Sequence, residues 1–323
     1  MSQIVDITGW TFEELNVSGS KEKRWYRFPN NNKLGLFKLP VSITSDTWIA
    51  VDEMSGEMWS EKIASEIGNI MGFDVHQVEI GSINVDDEII KYYGLNPDKI
   101  KSGIIYGAFC HSFLHEGVES LIEGADMIME IDYTYDRSDL KGQLEVYSYD
   151  LLTRLFNKYN YLDELYKMIV FDTLIGNTDR HQDNFGIIRN EFTHGIRFAP
   201  LYDNSSSLGR ELKEERIRLM LRDPSMFNSY LFGKKSGSLI KWGNRNHYEK
   251  LNIFDLFRRI TEETPDIKKY INNLSELTDE IIEKIITGIP SVVMSDLKKE
   301  FVLKLIKTRR DYMLKEFGYG TYI

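Results

Sequence analysis

Asp179, Asn184 and Asp203 are the residues of this chain whose types and spacing best fit a chemical reaction. In the run Asp-Arg-His-Gln-Asp-Asn at positions 179–184 an Asp precedes an Asn by five positions, and Asp203 follows in Ala-Pro-Leu-Tyr-Asp. At a phosphoryl-transfer site, one Asp orients a hydroxyl nucleophile while an Asn and a second Asp ligate Mg²⁺ through oxygen. The pattern therefore indicates Asp179 as the hydroxyl-orienting residue and Asn184 and Asp203 as metal ligands.

Single residues of this loop also fit simpler roles. Asp179 and Asn177, taken alone, would be residues that cap a turn, because Asp and Asn do so routinely. The combination with a hairpin and a second Asp favours the catalytic interpretation. His181 is predicted to be a hydrogen-bonding scaffold, since no second His or Cys stands at metal-ligand spacing, and Asp183 stays unassigned.

Lys38 is a charged residue inside an apolar, β-prone run, Leu-Phe-Lys-Leu. Facing a cleft beneath a sheet, its ammonium can pair with the α- and β-phosphates of ATP. On an edge strand it would instead point into solvent. Glu61, on the helix predicted to follow, is the candidate ion-pair partner of Lys38, with Glu57 and Glu66 as competitors.

Two short segments complete the predicted nucleotide site. Ser18, Gly19 and Ser20 precede a lysine and can form a backbone nest for phosphate, although a plain turn explains them equally well. Gly107, Ala108 and Phe109 lie at the end of a predicted strand, and we assign them to cofactor binding as well.

Local patterns predict the elements that position these residues. Strands are expected at 23–28 and 33–39, joined by a Pro-Asn-Asn-Asn turn, with a helix at about 56–71 and strands at 75–80 and 103–109. From residue 143 onward helical patterns dominate. A buried helix ends at Gly176 and Asn177, and a hairpin of 185–188 with 196–198 leads to Asp203. Further helices fill the tail, one of them from Thr278 to Ile286.

The composition change near residues 110–115 divides the chain into a strand-rich part and a helix-rich part. We expect an α+β protein with lobes at 1–112 and 113–323. The acid-rich segment 111–140 is expected to be a solvated face, with a docking surface for a basic partner as the alternative. Ser205, Ser206 and Ser207 are either phosphorylation targets or a solvated turn.

Overall composition narrows the class of protein. The chain has 323 residues, a formal net charge of -10 and one cysteine. The negative charge argues against direct nucleic-acid binding, and a lone cysteine excludes a disulfide framework. We expect no membrane span and no signal peptide, hence a cytoplasmic protein, with export by a signal-independent route left open.

With these residues assembled, the chain resembles the HipA-like Ser/Thr kinases, and within them the compact CtkA-type kinases. The resemblance rests first on residues 172–181, with their Gly-Asn-Thr-Asp-Arg-His run, together with 184–186, and then on 199–203. Residues 36–40, and 60–61 with 72–75, resemble the family's lysine strand and the helix that follows it. It implies a two-lobed protein-kinase-like fold, ATP and Mg²⁺ as cofactors, and phosphorylation of Ser or Thr in a protein substrate. It also implies the roles given above to Asp179, Asn184, Asp203 and Lys38.

The resemblance also bears on biological role. It implies a toxin-like regulator or an effector, with an antitoxin-like partner protein as an option. The extra N-terminal subdomain with which longer HipA proteins contact a DNA-binding antitoxin is expected to be missing, and the phosphate loop is poor in glycine. Two alternatives stay open. Asp-Arg-His-x-x-Asn also recurs in phosphoinositide-kinase-like lipid kinases, and a nucleotide-binding pseudokinase or interaction module would keep the same residues.

Overall fold

The computed structural model describes residues 4–13, 23–40, 55–95, 97, 103–136, 138, 146–233, 236–244 and 247–318. The predicted phosphate nest at Ser18, Gly19 and Ser20 lies outside these residues. Among the helices described, none is both long enough and apolar enough to cross a membrane.

The N-terminal part is a six-stranded sheet with two helices. The strand order is β1-β5-β6-β4-β3-β2, and every neighbouring pair is antiparallel except β1 with β5. The elements are β1 (Val5–Asp6), β2 (Phe12–Glu13), β3 (Lys23–Arg27), β4 (Leu34–Lys38), α1 (Glu57–Ile70), β5 (Val78–Asn84), α2 (Asp87–Tyr93) and β6 (Ile104–His111).

The predicted β3–β4 hairpin is present, and its turn shows why. Asn32 has a φ of 58° and donates its N–H to the carbonyl of Phe28 at 2.9 Å; asparagine tolerates this left-handed conformation better than most residues. Helix α1 is buried on almost every side, while Ile70 at its end is 40% exposed. Strand β5 begins three residues later than predicted, and β6 continues to His111.

The C-terminal part is mainly helical and carries one three-stranded sheet, in the order β7-β8-β9. Its first elements are β7 (Glu119–Glu123), α3 (Gly124–Met129), α4 (Tyr149–Lys158), α5 (Leu162–Ile175), β8 (Gly186–Asn190) and β9 (Ile196–Phe198). Then follow α6 (Glu214–Arg222), α7 (Pro224–Phe232), β10 (Trp242–Asn244), β11 (His247–Glu249), α8 (Ile253–Glu263), α9 (Lys268–Ile271), α10 (Asp279–Gly288) and α11 (Asp296–Phe317).

Helix α5 is the central support of the C-terminal part. All of its residues from Leu165 to Ile175 except Lys167 are buried, and it ends as predicted at Gly176, which has a φ of 69°. A left-handed residue at this place stops the helix and turns the chain. One continuous hydrophobic cluster contains residues of α5, of α1 and of the α1-facing side of the N-terminal sheet. The loop after α5 is therefore anchored in a rigid core.

The acid-rich segment contributes to the fold. Strand β7 lies within it and pairs with β8. Glu119 is only 9% exposed and binds Arg197 at 2.9 Å, while Glu116 binds Arg27 at 2.6 Å. The segment is thus in part a paired strand with internal ion pairs, where we had expected a solvated face.

Candidate active site

The loop between α5 and β8 holds Asp179 and Asn184 in a fixed relationship. The side-chain amide of Asn184 donates to the backbone carbonyl of Asp179 at 2.9 Å, and the N–H of His181 donates to the same carbonyl at 2.9 Å. Asn177 accepts the backbone N–H of Asp179 at 3.0 Å. The turn-capping role of Asn177 is therefore real, and it leaves the side chain of Asp179 exposed at the surface of the loop.

Arg180 lies beneath this loop, where it connects the elements of the site. Its guanidinium donates to both carboxylate oxygens of Asp172 at 2.9 and 2.8 Å. It also donates to the backbone carbonyls of Asn184 at 2.8 Å and Tyr202 at 2.6 Å, and to the side chain of Asn204 at 2.6 Å. Burial disfavours the charged guanidinium, but Asp172 outweighs burial and the pKa of Arg180 is raised. One cation thus joins α5, the loop and the chain around Asp203.

Asp203 lies just after the β8–β9 hairpin in an unusual conformation. Its φ is 54°, a left-handed value that is uncommon for a residue other than glycine. Before Asp203, Leu201 is hydrogen-bonded to the N-terminal part, because its N–H donates to the carbonyl of Asp74 at 2.8 Å. On the other side, the N–H of Asn204 donates to Glu61 at 3.3 Å. Such strain persists only where the surrounding contacts impose it, and it is common at functional sites.

The ammonium of Lys38 lies between two carboxylates. Its Nζ is 3.1 Å from Oε1 of Glu61 and 3.6 Å from Oδ1 of Asp203. Burial disfavours the charged ammonium, but Asp203 and Glu61 outweigh burial and hold the pKa of Lys38 well above its ordinary value. Lys38 is thus a fixed, largely buried cation between α1 and Asp203, and the solvent-pointing alternative does not apply.

The structure also separates Glu61 from its competitors. Glu61 is 1% exposed and contacts Lys38, whereas Glu66 pairs with Lys62 at 2.6 Å. Glu57 pairs with Arg210 at 2.9 Å. The first turn of α1 is attached to the chain beyond Asp203 through this pair and through the N–H of Gly56, which donates to the carbonyl of Arg210 at 2.8 Å.

Gly107, Ala108 and Phe109 occupy different environments on β6. Ala108 is the cross-strand partner of Lys38 and belongs to the same buried cluster as α1. A side chain at Gly107 would approach the carbonyl of Lys38 to 2.4 Å, so glycine permits this strand pairing. Phe109 packs into a separate cluster on the other face of the sheet, against Trp10 and other aromatic residues. The structure does not bring the side chain of Phe109 to Lys38.

The donor set of this site suits a hard cation. Asn184 and Asp203 offer amide and carboxylate oxygens, the ligand type that Mg²⁺ prefers. Within the described part of the chain there is no group of three or more His, Cys, Asp or Glu side chains able to hold a metal. Two protein ligands suit a metal whose remaining ligands come from nucleotide phosphates and water.

Sequence reasoning missed the roles of Asp172, Arg180 and Arg210. The signal for Asp172 was available, because it is an acidic residue at a buried position of an otherwise apolar helix. A buried carboxylate requires a cation, and the adjacent loop supplies one in Arg180. Nothing in the local pattern indicates that Arg210 pairs with Glu57, because the two residues are far apart in the chain.

A family model and a curated relative each match part of this chain. A family model described as the HipA-like C-terminal domain matches residues 117–285. The serine/threonine-protein kinase CtkA of Helicobacter pylori is 25% identical over 147 residues, which make up 46% of this chain and 43% of that protein. The matched segment thus spans less than half of the length of this relative.

Solved structures extend the likeness over almost the whole chain. The crystal structure of the Helicobacter pylori proinflammatory kinase CtkA gives a TM-score of 0.75 at 18% identity, with 97% of this chain and 98% of that chain covered. HipA, in the Shewanella oneidensis toxin–antitoxin complex with HipB and operator DNA, gives a TM-score of 0.50 at 13% identity, with 93% and 65% covered. At these identities the likeness shows the fold, and it confirms the predicted two-lobed, kinase-like α+β class.

Proposed function

Since the chain belongs to the HipA-like C-terminal domain family, we propose that it is an ATP-dependent protein kinase that transfers the γ-phosphate to Ser or Thr hydroxyls. The observation that carries the proposal is the placement of Lys38 between Glu61 and Asp203, with Nζ–oxygen distances of 3.1 and 3.6 Å. Phosphoryl transfer needs positioning and charge neutralisation more than covalent chemistry. A fixed cation beside the candidate metal ligand provides both.

Each site residue has a role in this proposal. Lys38 binds nucleotide phosphates, and Glu61 keeps its ammonium in position. Asp179 orients the acceptor hydroxyl and takes up its proton, for which its exposed side chain is suited. Asn184 and Asp203 would hold Mg²⁺, which when bound neutralises charge on the β- and γ-phosphates.

The interlobe connection follows β6, which ends at His111. We propose lobes at 1–112 and 113–323, with Gly107 and Ala108 on the nucleotide side of β6. Phe109 would contribute through its backbone, because its side chain packs on the opposite face.

The biological setting is also a proposal. The chain acts on a protein substrate in the cytoplasm, as a toxin-like regulator or an effector. The kinase name of the CtkA relative supports a protein substrate, and the toxin–antitoxin title of the HipA neighbour supports a toxin-like role. That neighbour was solved with HipB, so an antitoxin-like partner is included in the proposal. Direct binding to nucleic acid is not part of the proposal, because the net charge of the chain is -10.

Transfer of labelled phosphate from ATP tests the proposal. The purified chain with Mg²⁺ and a bacterial lysate is expected to label protein bands that yield phosphoserine or phosphothreonine on hydrolysis. Asp179→Asn is the matched control and should abolish the labelling. If lipid vesicles added to the assay are labelled and the lysate proteins are not, the lipid-kinase alternative is supported. Nucleotide binding without transfer to any acceptor would support a pseudokinase.

A further inference from the structure

The three serines that follow Asp203 lie in different environments. Ser205 is 3% exposed and Ser207 is 2% exposed. The hydroxyl of Ser205 donates to Asp203 at 3.2 Å, and that of Ser207 donates to the carbonyl of Asn204 at 2.7 Å. Ser206 is half-buried. The segment is therefore not simply a solvated turn, and Ser206 is the most accessible of its three hydroxyls.

The hydroxyl of Ser206 lies where an acceptor hydroxyl belongs. Its Oγ donates to Oδ2 of Asp179 at 3.3 Å. Asp179 is the residue assigned to orient the nucleophile, so Ser206 already makes the contact that a substrate serine would need. Arg210 approaches the same oxygen, with Nη2 3.4 Å from Oγ of Ser206.

The backbone around Ser206 is anchored on both sides. Before it, the N–H of Asn204 donates to Glu61 at 3.3 Å. The N–H of Leu208 donates to the carbonyl of Ile175, the last residue of α5, at 2.9 Å. The N–H of Arg210 donates to the carbonyl of Ser207 at 3.1 Å, and the side chain of Arg210 is held by Glu57. A hydroxyl fixed this close to the catalytic residue reacts as an intramolecular group. The same anchoring keeps Ser206 away from the site of a second molecule.

We propose that Ser206 is an autophosphorylation site that this chain modifies in cis, an inference that rests on the proposed kinase activity. Oγ of Ser206 forms a bond to the γ-phosphorus of ATP while the bond from that phosphorus to the β–γ bridging oxygen breaks. ADP leaves with the electron pair of that bond. The hydroxyl proton passes to the carboxylate of Asp179, which the geometry already places as its hydrogen-bond acceptor.

Phosphorylation of Ser206 turns the site off. The phosphate adds roughly 1.5 to 2 negative charges beside the carboxylate of Asp179. The phosphate also occupies the position of the acceptor hydroxyl. It competes with Glu57 for Arg210, since Nη1 of Arg210 is 2.9 Å from Oε1 of Glu57. The modified chain is therefore expected to lose activity toward other acceptors.

Intact-mass and peptide mass spectrometry of the wild-type chain, incubated with Mg²⁺ and ATP, tests the proposal. The expected result is phosphoserine at Ser206, formed with a first-order rate constant that does not change with enzyme concentration. Ser206→Thr should give phosphothreonine at this position, which a merely structural hydroxyl would not do. Ser291→Ala removes an exposed serine outside the cleft and should leave the extent of modification unchanged.

Mixing separates modification in cis from modification in trans. An isotopically heavy Asp179→Asn chain, incubated with light wild-type chain and ATP, should stay unmodified at Ser206. Phosphate on Ser206 of the heavy chain overturns the cis assignment. Phosphate on other proteins or other serines, with none on Ser206, overturns this inference and leaves the kinase proposal standing. Absence of transfer to any acceptor overturns both.

Discussion

Arg180 and Asp172 form a buried, two-bond ion pair at the base of the candidate site. Their side chains are 2% and 8% exposed, and the guanidinium reaches both carboxylate oxygens, at 2.9 and 2.8 Å. Asp172 belongs to the last turn of α5, while Arg180 also binds the backbone carbonyls of Asn184 and Tyr202. A single cation thus fixes to the core the backbone at Asn184 and the backbone just before Asp203, the two residues proposed to hold metal.

Arg180→Met is expected to destabilise the protein strongly. Removing one partner of a buried pair leaves the other charge uncompensated, which costs about 3–5 kcal/mol. Chemical denaturation measures the free energy of unfolding. Arg189→Met is the matched control, because Arg189 pairs with Glu191 on the surface, and exposed pairs contribute at most about 1 kcal/mol. Equal, small losses in both variants would contradict the role given to Arg180.

The double variant Arg180→Met with Asp172→Leu distinguishes stability from catalysis. Replacing both charges by apolar side chains removes the uncompensated carboxylate, so part of the lost stability should return. Phosphoryl transfer should not return, because the carbonyls of Asn184 and Tyr202 still lack their donor. Full recovery of activity would show that the ion pair serves stability alone.

Lys38→Met is expected to reduce kcat about 10²–10³-fold, the usual loss when one preorganised electrostatic contact is removed. The physical reason is that the phosphates lose their fixed cation and Glu61 loses its ion-pair partner. Lys33→Met, at an exposed lysine in the turn of the same hairpin, is the control and should keep wild-type kcat. Steady-state kinetics with a protein acceptor measures both. A Lys38 variant with unchanged kcat and KM for ATP would contradict the assignment.

The parts of the fold that could be predicted from sequence were those that depend on residues close together in the chain. The β3–β4 hairpin, the end of α5 at Gly176 and the β8–β9 hairpin each depend on neighbouring residues and on turn chemistry. Strand β7 was missed because acidic residues are uncommon in strands. Only the tertiary structure shows that β7 pairs with β8 and that Glu119 forms an ion pair with Arg197. The buried position of Phe109 was missed because a strand pattern does not show which face meets the cleft.

The residues of the candidate site also fall into those that the sequence predicts and those that only the tertiary structure identifies. Asp179, Asn184 and Asp203 could be named from residue type and spacing, and Lys38 from one charge in an apolar run, with Glu61 as one of three candidate partners. Which glutamate meets Lys38 required the tertiary structure, since Glu57, Glu61 and Glu66 lie on one helix with similar sequence surroundings. The contact between Ser206 and Asp179 required it as well, because the intervening hairpin sets the distance.

Asp203→Asn is expected to raise the Mg²⁺ concentration that gives half-maximal activity. An amide lacks the negative charge that attracts a hard cation, whereas the geometry of the side chain is preserved. Asp183→Asn, in the neighbouring loop, is the matched control and should leave the Mg²⁺ dependence unchanged. Activity measured against Mg²⁺ at constant ATP tests the prediction. The same Mg²⁺ dependence in Asp203→Asn and wild type would exclude Asp203 as a ligand.

His76 should make the stability of the protein fall in acid. Burial, followed by the nearby charge of Lys38, lowers the pKa of His76 to about 4, while the carbonyl of His111 at 2.7 Å and the charge of Asp203 act in the opposite direction. Its Nδ1 is buried without a hydrogen-bond partner among the described residues, so a proton there would be poorly accommodated.

The direction of the pH effect follows from proton binding. Between the ordinary value of 6.5 and about 4 the unfolded chain binds a proton at His76 that the folded chain does not. The free energy of unfolding therefore falls as the pH is lowered through this window, by up to about 3 kcal/mol from this residue. His76→Gln keeps a donor for the carbonyl of His111 and should flatten the profile. Urea denaturation across this pH range measures the difference, and His194→Asn, a change at an exposed turn residue with φ of 57°, should retain the wild-type slope. Parallel profiles for wild type and His76→Gln would mean that His76 titrates in the folded protein as it does in the unfolded chain.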